Sequence, residues 1–254
     1  MARVMVSTGR GGVGKSTFVA VAARYLASPK LVIDLDPDES LADMLGVDLG
    51  KSETTTISGL LYEAAAGSGP VGREKLLGEM QSVLRNRCLY RSQHFDLLTL
   101  GTKFTVGCYC APDNVLKDSL AHLLQDYEHV LVDSPAGLEH LNRKVVSDIT
   151  DLFLIIDPSD KSVKHVGRVQ DIIGAVGIRY QHLYIVANHR FTAEHEKFTS
   201  GLDGTYLGKI DYDPELKRYN LEGRSLFELP DGSPAVASAR AILEEAGYTV
   251  SRCN

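Results

Sequence analysis

The run Gly9–Ser16 (GRGGVGKS) carries the clearest chemistry in the chain. It satisfies G-x-x-x-x-G-K-[S/T], in which glycines let backbone N–H groups turn inward around phosphates and a helix N-terminus adds partial positive charge. In that pattern Lys15 reaches the β- and γ-phosphates and the Ser16 hydroxyl ligates Mg²⁺. The same residues also satisfy G-x-G-x-x-G through Gly9, Gly11 and Gly14. Asp34 stands about 20 residues further on, where a dinucleotide fold places its ribose-binding acid. Lys15 and Ser16 separate the two patterns, because a dinucleotide site needs no lysine–hydroxyl pair there. They also argue against a glycine-rich turn with no ligand.

Acids at predicted strand ends extend the phosphate chemistry. His129–Asp133 (HVLVD) is an apolar-leaning run ending in Asp, the Walker B form, and Asp133 would orient water around Mg²⁺. Ser134-Pro135-Ala136-Gly137 follows, a loop whose backbone could sense a γ-phosphate. In Asp34-Leu35-Asp36-Pro37-Asp38, alternation predicts Asp34 and Asp36 on one side, where one of them would position an attacking water. Cys108 and Cys110 stand one residue apart, so in an extended segment both thiolates point the same way and can bind one metal.

These residues need a rigid frame, and the pattern predicts one. Strands are expected at Arg3–Ser7, Lys30–Asp34, Phe95–Leu100, His129–Asp133, Asp151–Asp157 and His182–Asn188. Helices are expected at Ser16–Ala27 and Asp113–Tyr127, with a further small-residue candidate at Leu60–Gly69. The strands are nearly apolar throughout, which fits a parallel sheet covered by helices on both faces. Residues 52–107 are the least regular and read as an elaboration of the sheet connections, so the 254 residues are expected to form one domain.

Lys plus Arg number 27 against 33 Asp plus Glu, a net charge of −6, which disfavours nucleic acid as a main partner. No run approaches the roughly 18 apolar residues of a membrane span. Neither a secretory signal nor a basic amphipathic anchor is visible, so a soluble, cytoplasmic protein is expected. Four cysteines are too few for a disulfide framework at this length.

Gly9–Ser16, Asp34–Asp38 and Asp133–Gly137 together resemble the deviant Walker A ATPases, the class of MinD, ParA and the nitrogenase iron protein. Within that class, Leu100-Gly101, Gly107-Cys108-Tyr109-Cys110 and Gly137-Leu138-Glu139-His140-Leu141 resemble the CooC-type accessory ATPases, which insert nickel into carbon monoxide dehydrogenase. The resemblance covers nearly the whole chain and is weakest from 50 to 95. It implies a P-loop NTPase three-layer α/β/α fold with a mostly parallel sheet, ATP hydrolysis, and ATP-dependent homodimerisation. It places Gly11, Gly12, Val13, Gly14, Lys15, Ser16 and Thr17 around the phosphates, Asp36 on the attacking water, and Asp133 as the Walker B acid. Asn188 matches the adenine-recognising Asn, and Ile210–Pro214 (IDYDP) the loop beside the base, with Pro214 as a binding residue.

The chain departs from this class at Arg10, where the class carries a signature lysine that reaches the partner subunit's nucleotide. Arginine keeps the charge and could clamp a phosphate bidentately, although its planar group alters the geometry. The other reading of Arg10 is a solvated loop charge.

Two thiolates are half of a tetrahedral S₄ site, and a symmetric dimer would supply Cys108 and Cys110 twice around a metal on its axis. Zn²⁺ suits such a site, whereas Ni²⁺ prefers a square-planar field. A [4Fe–4S] cluster also takes four thiolates. The position after Asp133, where the nitrogenase iron protein carries a cysteine, here reads Ser134-Pro135-Ala136-Gly137. Cys88 and Cys253 read as ordinary thiols, and His140 as structural. The partners expected are a second copy and a client nickel enzyme such as carbon monoxide dehydrogenase, with no nucleic acid or membrane. A MinD/ParA-like positioning ATPase and an iron–sulfur ATP-dependent reductase are the competing functions.

Overall fold

The computed structural model describes residues 2–66, 79–102, 117, 119–136, 148–188 and 191–251. Among them are eight strands: β1 (Arg3–Gly9), β2 (Lys30–Asp34), β3 (Leu89–Arg91), β4 (Asp96–Thr99), β5 (His129–Asp133), β6 (Asp148–Ile156), β7 (Arg179–Ala187) and β8 (Thr205–Lys209). They form one sheet in the order β3-β4-β2-β5-β1-β6-β7-β8. The β3–β4 edge pair is antiparallel and all other pairs are parallel.

The apolar runs supply two cores at once, because successive side chains leave a strand on opposite faces. Val4, Val6, Leu31, Ile33, Val130, Val132, Leu152 and Leu154 pack on one face with Leu120, Leu123, Val166, Val169 and Ile173. Met5, Val32, Leu131, Phe153, Ile155 and Val186 pack on the other, against the helices Lys15–Tyr25, Ser40–Leu45 and Pro234–Glu245. A sheet sandwiched in this way is the three-layer α/β/α arrangement expected.

Boundaries shift where tertiary contacts decide them. The first helix stops at Tyr25 because Leu26 turns extended and bridges to Val250. The small-residue helix begins early, at Ile57, where Thr56 Oγ1 accepts the Gly59 N–H at 3.1 Å. Of the helix predicted at 113–127, residues 117 and 119–123 are helical and lead into a 3₁₀ turn at Leu124–Asp126, while 113–116 and 118 lie outside the described residues. Edge strands β3 and β8 and the helices Asp160–Val176 and Pro214–Glu222 were not among the sequence expectations, whereas the helix-like stretch that precedes Gly247 in the sequence is the helix Pro234–Glu245. Among the described residues no helix is long and apolar enough to cross a membrane.

The strand order fixes where a ligand can sit. β5 lies between β1 and β2, and the next strand, β6, lies on the far side of β1. The chain thus changes direction around the carboxyl end of β1, the kind of crevice where open parallel sheets bind ligands.

Candidate functional site

At that crevice β1 ends in Gly9, at φ 149°, and a Cβ there would stand 2.4 Å from the Ile155 carbonyl oxygen of β6. The loop closes at Gly14, at φ 96°, where a Cβ would stand 2.2 Å from Asn188 Nδ2. Only glycine fits both positions. Asn188 Nδ2 donates to the Val13 carbonyl at 2.8 Å, fastening the loop to the end of β7. Lys15, 5% exposed, bends back so that Nζ donates to the Arg10 carbonyl at 3.1 Å. Burial lowers its pKa, and the charges of Asp133 and Asp36 oppose that shift.

The neighbouring acids are set by register. Ser7 of β1 and Asp34 of β2 both pair with Asp133 of β5, so the two carboxylates end adjacent strands at one level. Both are fully buried. Burial, and next the charge of Asp133, raise the Asp34 pKa to about 8. Burial also raises Asp133 to about 7, against the pull of the Ser16 hydroxyl and Lys15. The Ser16 hydroxyl is close enough to stabilise the ionised acid but falls outside hydrogen-bonding geometry, leaving both Asp133 oxygens without a partner. Asp34 Oδ2 has none either.

Buried carboxylate oxygens are rarely left unsatisfied, and an all-oxygen donor set next to a phosphate loop suits a hard divalent cation. Ser16 and Asp133 therefore fit Mg²⁺. Among the described residues no three His, Cys, Asp or Glu side chains converge as a complete metal site, so phosphate and water oxygens would finish its shell.

The structure separates Asp34 from Asp36. β2 stops at Asp34, whose Oδ1 accepts the Asp36 N–H at 2.9 Å, so the chain turns instead of continuing the alternation. Asp34 sinks beneath the loop while the part-buried Asp36 lines the cleft. The same geometry removes the dinucleotide alternative. Asp34 is inaccessible to a ribose, and β5 stands between its strand and the glycine loop.

The cleft has a volume of about 730 Å³, within the range of small-molecule sites. One side is the phosphate loop with Asp36, Asp38, Ser40 and Met44; the other is Ile210–Asp213 with Leu216, Lys217, Asn220, Leu221 and Ala235. Asp213 builds that second wall. Its Oδ1 caps the helix Pro214–Glu222 through the Glu215 and Leu216 N–H groups at 2.9 and 3.2 Å. Its Oδ2 accepts the Ser233 hydroxyl and, at 3.2 Å, the Ala235 N–H, so it also tethers the start of Pro234–Glu245.

Of the residues predicted from sequence, Gly11, Gly12, Gly14, Lys15, Ser16, Thr17, Asp36 and Asn188 line this cleft together. Val13 and Asp133 are buried beneath it. Pro214 is exposed at the helix start, outside the lining that its neighbours Asp213 and Leu216 join. Arg10 also stands outside the lining, with Nη1 3.2 Å from Ser159 Oγ and 3.6 Å from Asp157 Oδ2. Cys108, Cys110 and Cys253, the Gly107 block and 137–141 with His140 lie outside the described residues. Sequence reasoning missed Met44 and Asp157, and took in Asp213 only as part of the Ile210–Pro214 loop, without its role in capping two helices. Asp157 and Asp213 had a readable signal, since Asp-Pro-Ser and Asp-Pro-Glu are helix-start signatures.

A family model described as AAA domain (AAA_31) matches residues 1–182. The uncharacterized ATP-binding protein MJ0685 of Methanocaldococcus jannaschii is 29% identical over 252 residues, covering 95% of this chain and 97% of that protein. The carbon monoxide dehydrogenase accessory protein CooC of Rhodospirillum rubrum is 27% identical over 256 residues, with the same coverage of 95% and 97%. Among solved structures, the MinD cell division protein of Aquifex aeolicus superposes with a TM-score of 0.67 at 20% identity, over 100% of both chains. That likeness is one of fold.

Proposed function

The chain belongs to the AAA domain family, and from that premise we propose that it is an ATPase that closes into a homodimer around ATP and serves the insertion of nickel into a carbon monoxide dehydrogenase-like enzyme. The observation behind the ATP reading is the cleft, where a phosphate loop with a buried ammonium, underlain by two buried, in-register acids, faces a mixed wall of Ile210–Asp213, Leu216, Lys217, Asn220, Leu221 and Ala235.

In this reading the Gly11–Gly14 N–H groups hold the β-phosphate, and Lys15 Nζ exchanges the Arg10 carbonyl for phosphate oxygen. Ser16 would hold Mg²⁺ and Asp133 would orient water around it, and the ion when bound would supply positive charge against the phosphates. Asp36 orients the water that attacks the γ-phosphorus, giving ADP and phosphate. Asn188 and Ile210–Pro214 receive the adenine, and Thr17 completes the phosphate end. Arg10 supplies positive charge across the dimer to the partner subunit's nucleotide.

Support for the nickel role comes from the 27% identity to CooC over nearly the full length and from the Cys108-x-Cys110 pair. Two chains would bring four thiolates to one Zn²⁺ or Ni²⁺ when ATP closes the interface, and hydrolysis would loosen it. The cytoplasm is the compartment that suits reduced thiols. A MinD-like positioning switch is the second reading, favoured by the fold likeness.

One experiment separates them: metal content, with vesicle and DNA co-sedimentation, of wild type and Cys108→Ser/Cys110→Ser with and without ATP. Nickel insertion expects about one metal per dimer with ATP, lost in the double variant, and no pelleting. ATP-dependent pelleting of a metal-free protein would establish the positioning reading instead.

A further inference from the structure

We propose that Asp157, assisted by Ser159, is a positioning residue that holds Arg10 against its own subunit and so sets how readily two chains close over nucleotide. The proposal rests on the reading above, in which Arg10 acts across the dimer.

Register puts the groups together. Gly9 pairs with Ile155, so the residues just past β6 lie beside the start of the phosphate loop. Asp157 follows β6 directly, and its two oxygens have different work. Oδ1 accepts the Ser159 hydroxyl, the Ser162 hydroxyl at 2.7 Å and the Ser159 N–H at 3.2 Å. That fixes the carboxylate on the first turn of Asp160–Val176, where Ser159 Oγ also accepts the Ser162 N–H at 3.2 Å. Oδ2 is thereby turned toward the Arg10 guanidinium 3.6 Å away, while Arg10 Nη1 donates to Ser159 Oγ at 3.2 Å.

The surroundings give the contact a direction. Arg10, Lys15 and Arg168 all act on His165 as positive charges; Lys15 has the charges of Asp133 and Asp36 beside it, and Arg10 has Asp157. Removing that acid leaves repulsion that favours Arg10 swinging outward. The arginine and aspartate side chains are 34% and 26% exposed. Water competes for such a pair, which makes it a restraint that binding can break and not a permanent lock.

The test is the ATP concentration at which half the protein is dimeric, read by light scattering, for wild type, Asp157→Asn, Arg10→Ala and the double variant. ATP affinity of the dilute monomer is measured in parallel by calorimetry. Asp157→Asn is expected to lower the midpoint about two- to fivefold, the scale of a half-exposed ion pair, with monomer affinity unchanged and no effect in the Arg10→Ala background. A purely structural role would move both backgrounds alike and overturn the proposal, as would an unchanged or raised midpoint. Should Asp157→Asn fail to fold, Ser159→Ala removes the second Arg10 contact and is expected to shift the midpoint the same way by less; no shift overturns the proposal. Wild type that stays monomeric at saturating ATP defeats the dimer reading itself, a distinct result visible without any variant.

Discussion

Lys15 Nζ donates to the Arg10 carbonyl while Asp133 beneath it has no hydrogen-bond partner, so the loop gathers a cation and an acid suited to a phosphate and its counter-ion. Lys15→Ala is therefore expected to abolish ATP binding in calorimetry while leaving the melting temperature within a few degrees of wild type; retained affinity would remove Lys15 from the site. The carboxylate pair gives a pH signature. In the unfolded chain both acids ionise near 3.8, but folded Asp34 and Asp133 hold protons up to about 8 and about 7. Between those limits the folded state binds more protons, so this pair's contribution to stability is full below the lower value and lost as pH rises through the upper ones. Nucleotide-free Asp34→Asn should accordingly gain melting temperature over wild type as pH rises from about 5 to about 8. A constant difference across that range would contradict the coupling. The motif residues were legible because their types and spacing are dictated by phosphate geometry. The separation of Asp34 from Asp36 was not, since alternation cannot show that a strand stops at the first acid and turns on its own side chain.

Asp213 shows how one side chain joins two elements into a binding wall. One carboxylate serves the N-termini of two helices, taking three backbone N–H groups and a hydroxyl. Asp213→Ala is expected to cost about 2–4 kcal/mol in chemical denaturation, as two caps of about 1 kcal/mol each and a buried hydroxyl lose their acceptor. ATP affinity should fall with it, because Leu216, Asn220 and Ala235 line the cleft. Unchanged affinity would mean that wall does not touch nucleotide. Phe153 plays the equivalent part in the core, fully buried with its ring 5.1 Å from Phe18 of the first helix. Phe153→Ala should cost about 3–5 kcal/mol. The central strands could be read directly, because burial on both faces demands continuous apolar runs. β3 and β8 could not, being short, partly exposed edges whose strand character comes from the neighbour they pair with. The amphipathic helix Asp160–Val176, not foreseen from sequence, buries Val166, Val169 and Ile173 at helical spacing, and Ser159 caps its start.

For the whole molecule, the sheet order brings the phosphate loop, two buried acids and Arg10 to one end, with Arg10 turned away from its own cleft. In the proposed function such an arrangement is half of a symmetric site. A second copy related by a twofold axis would present its Arg10 in return and bring together the cysteine pairs. The prediction at this scale is that association follows nucleotide state and not protein concentration alone, since unclosed chains keep Arg10 on Asp157. Hydrolysis would obscure the closed form, and replacing Asp36, the acid proposed to orient the attacking water, would preserve it. The deciding measurement is the light-scattering mass of Asp36→Ala with Mg²⁺ and ATP, beside the same protein with ADP. A rise from 27.7 kDa to about twice that value with ATP alone is the expected result. A mass that stays at 27.7 kDa under saturating ATP would contradict the proposed switch.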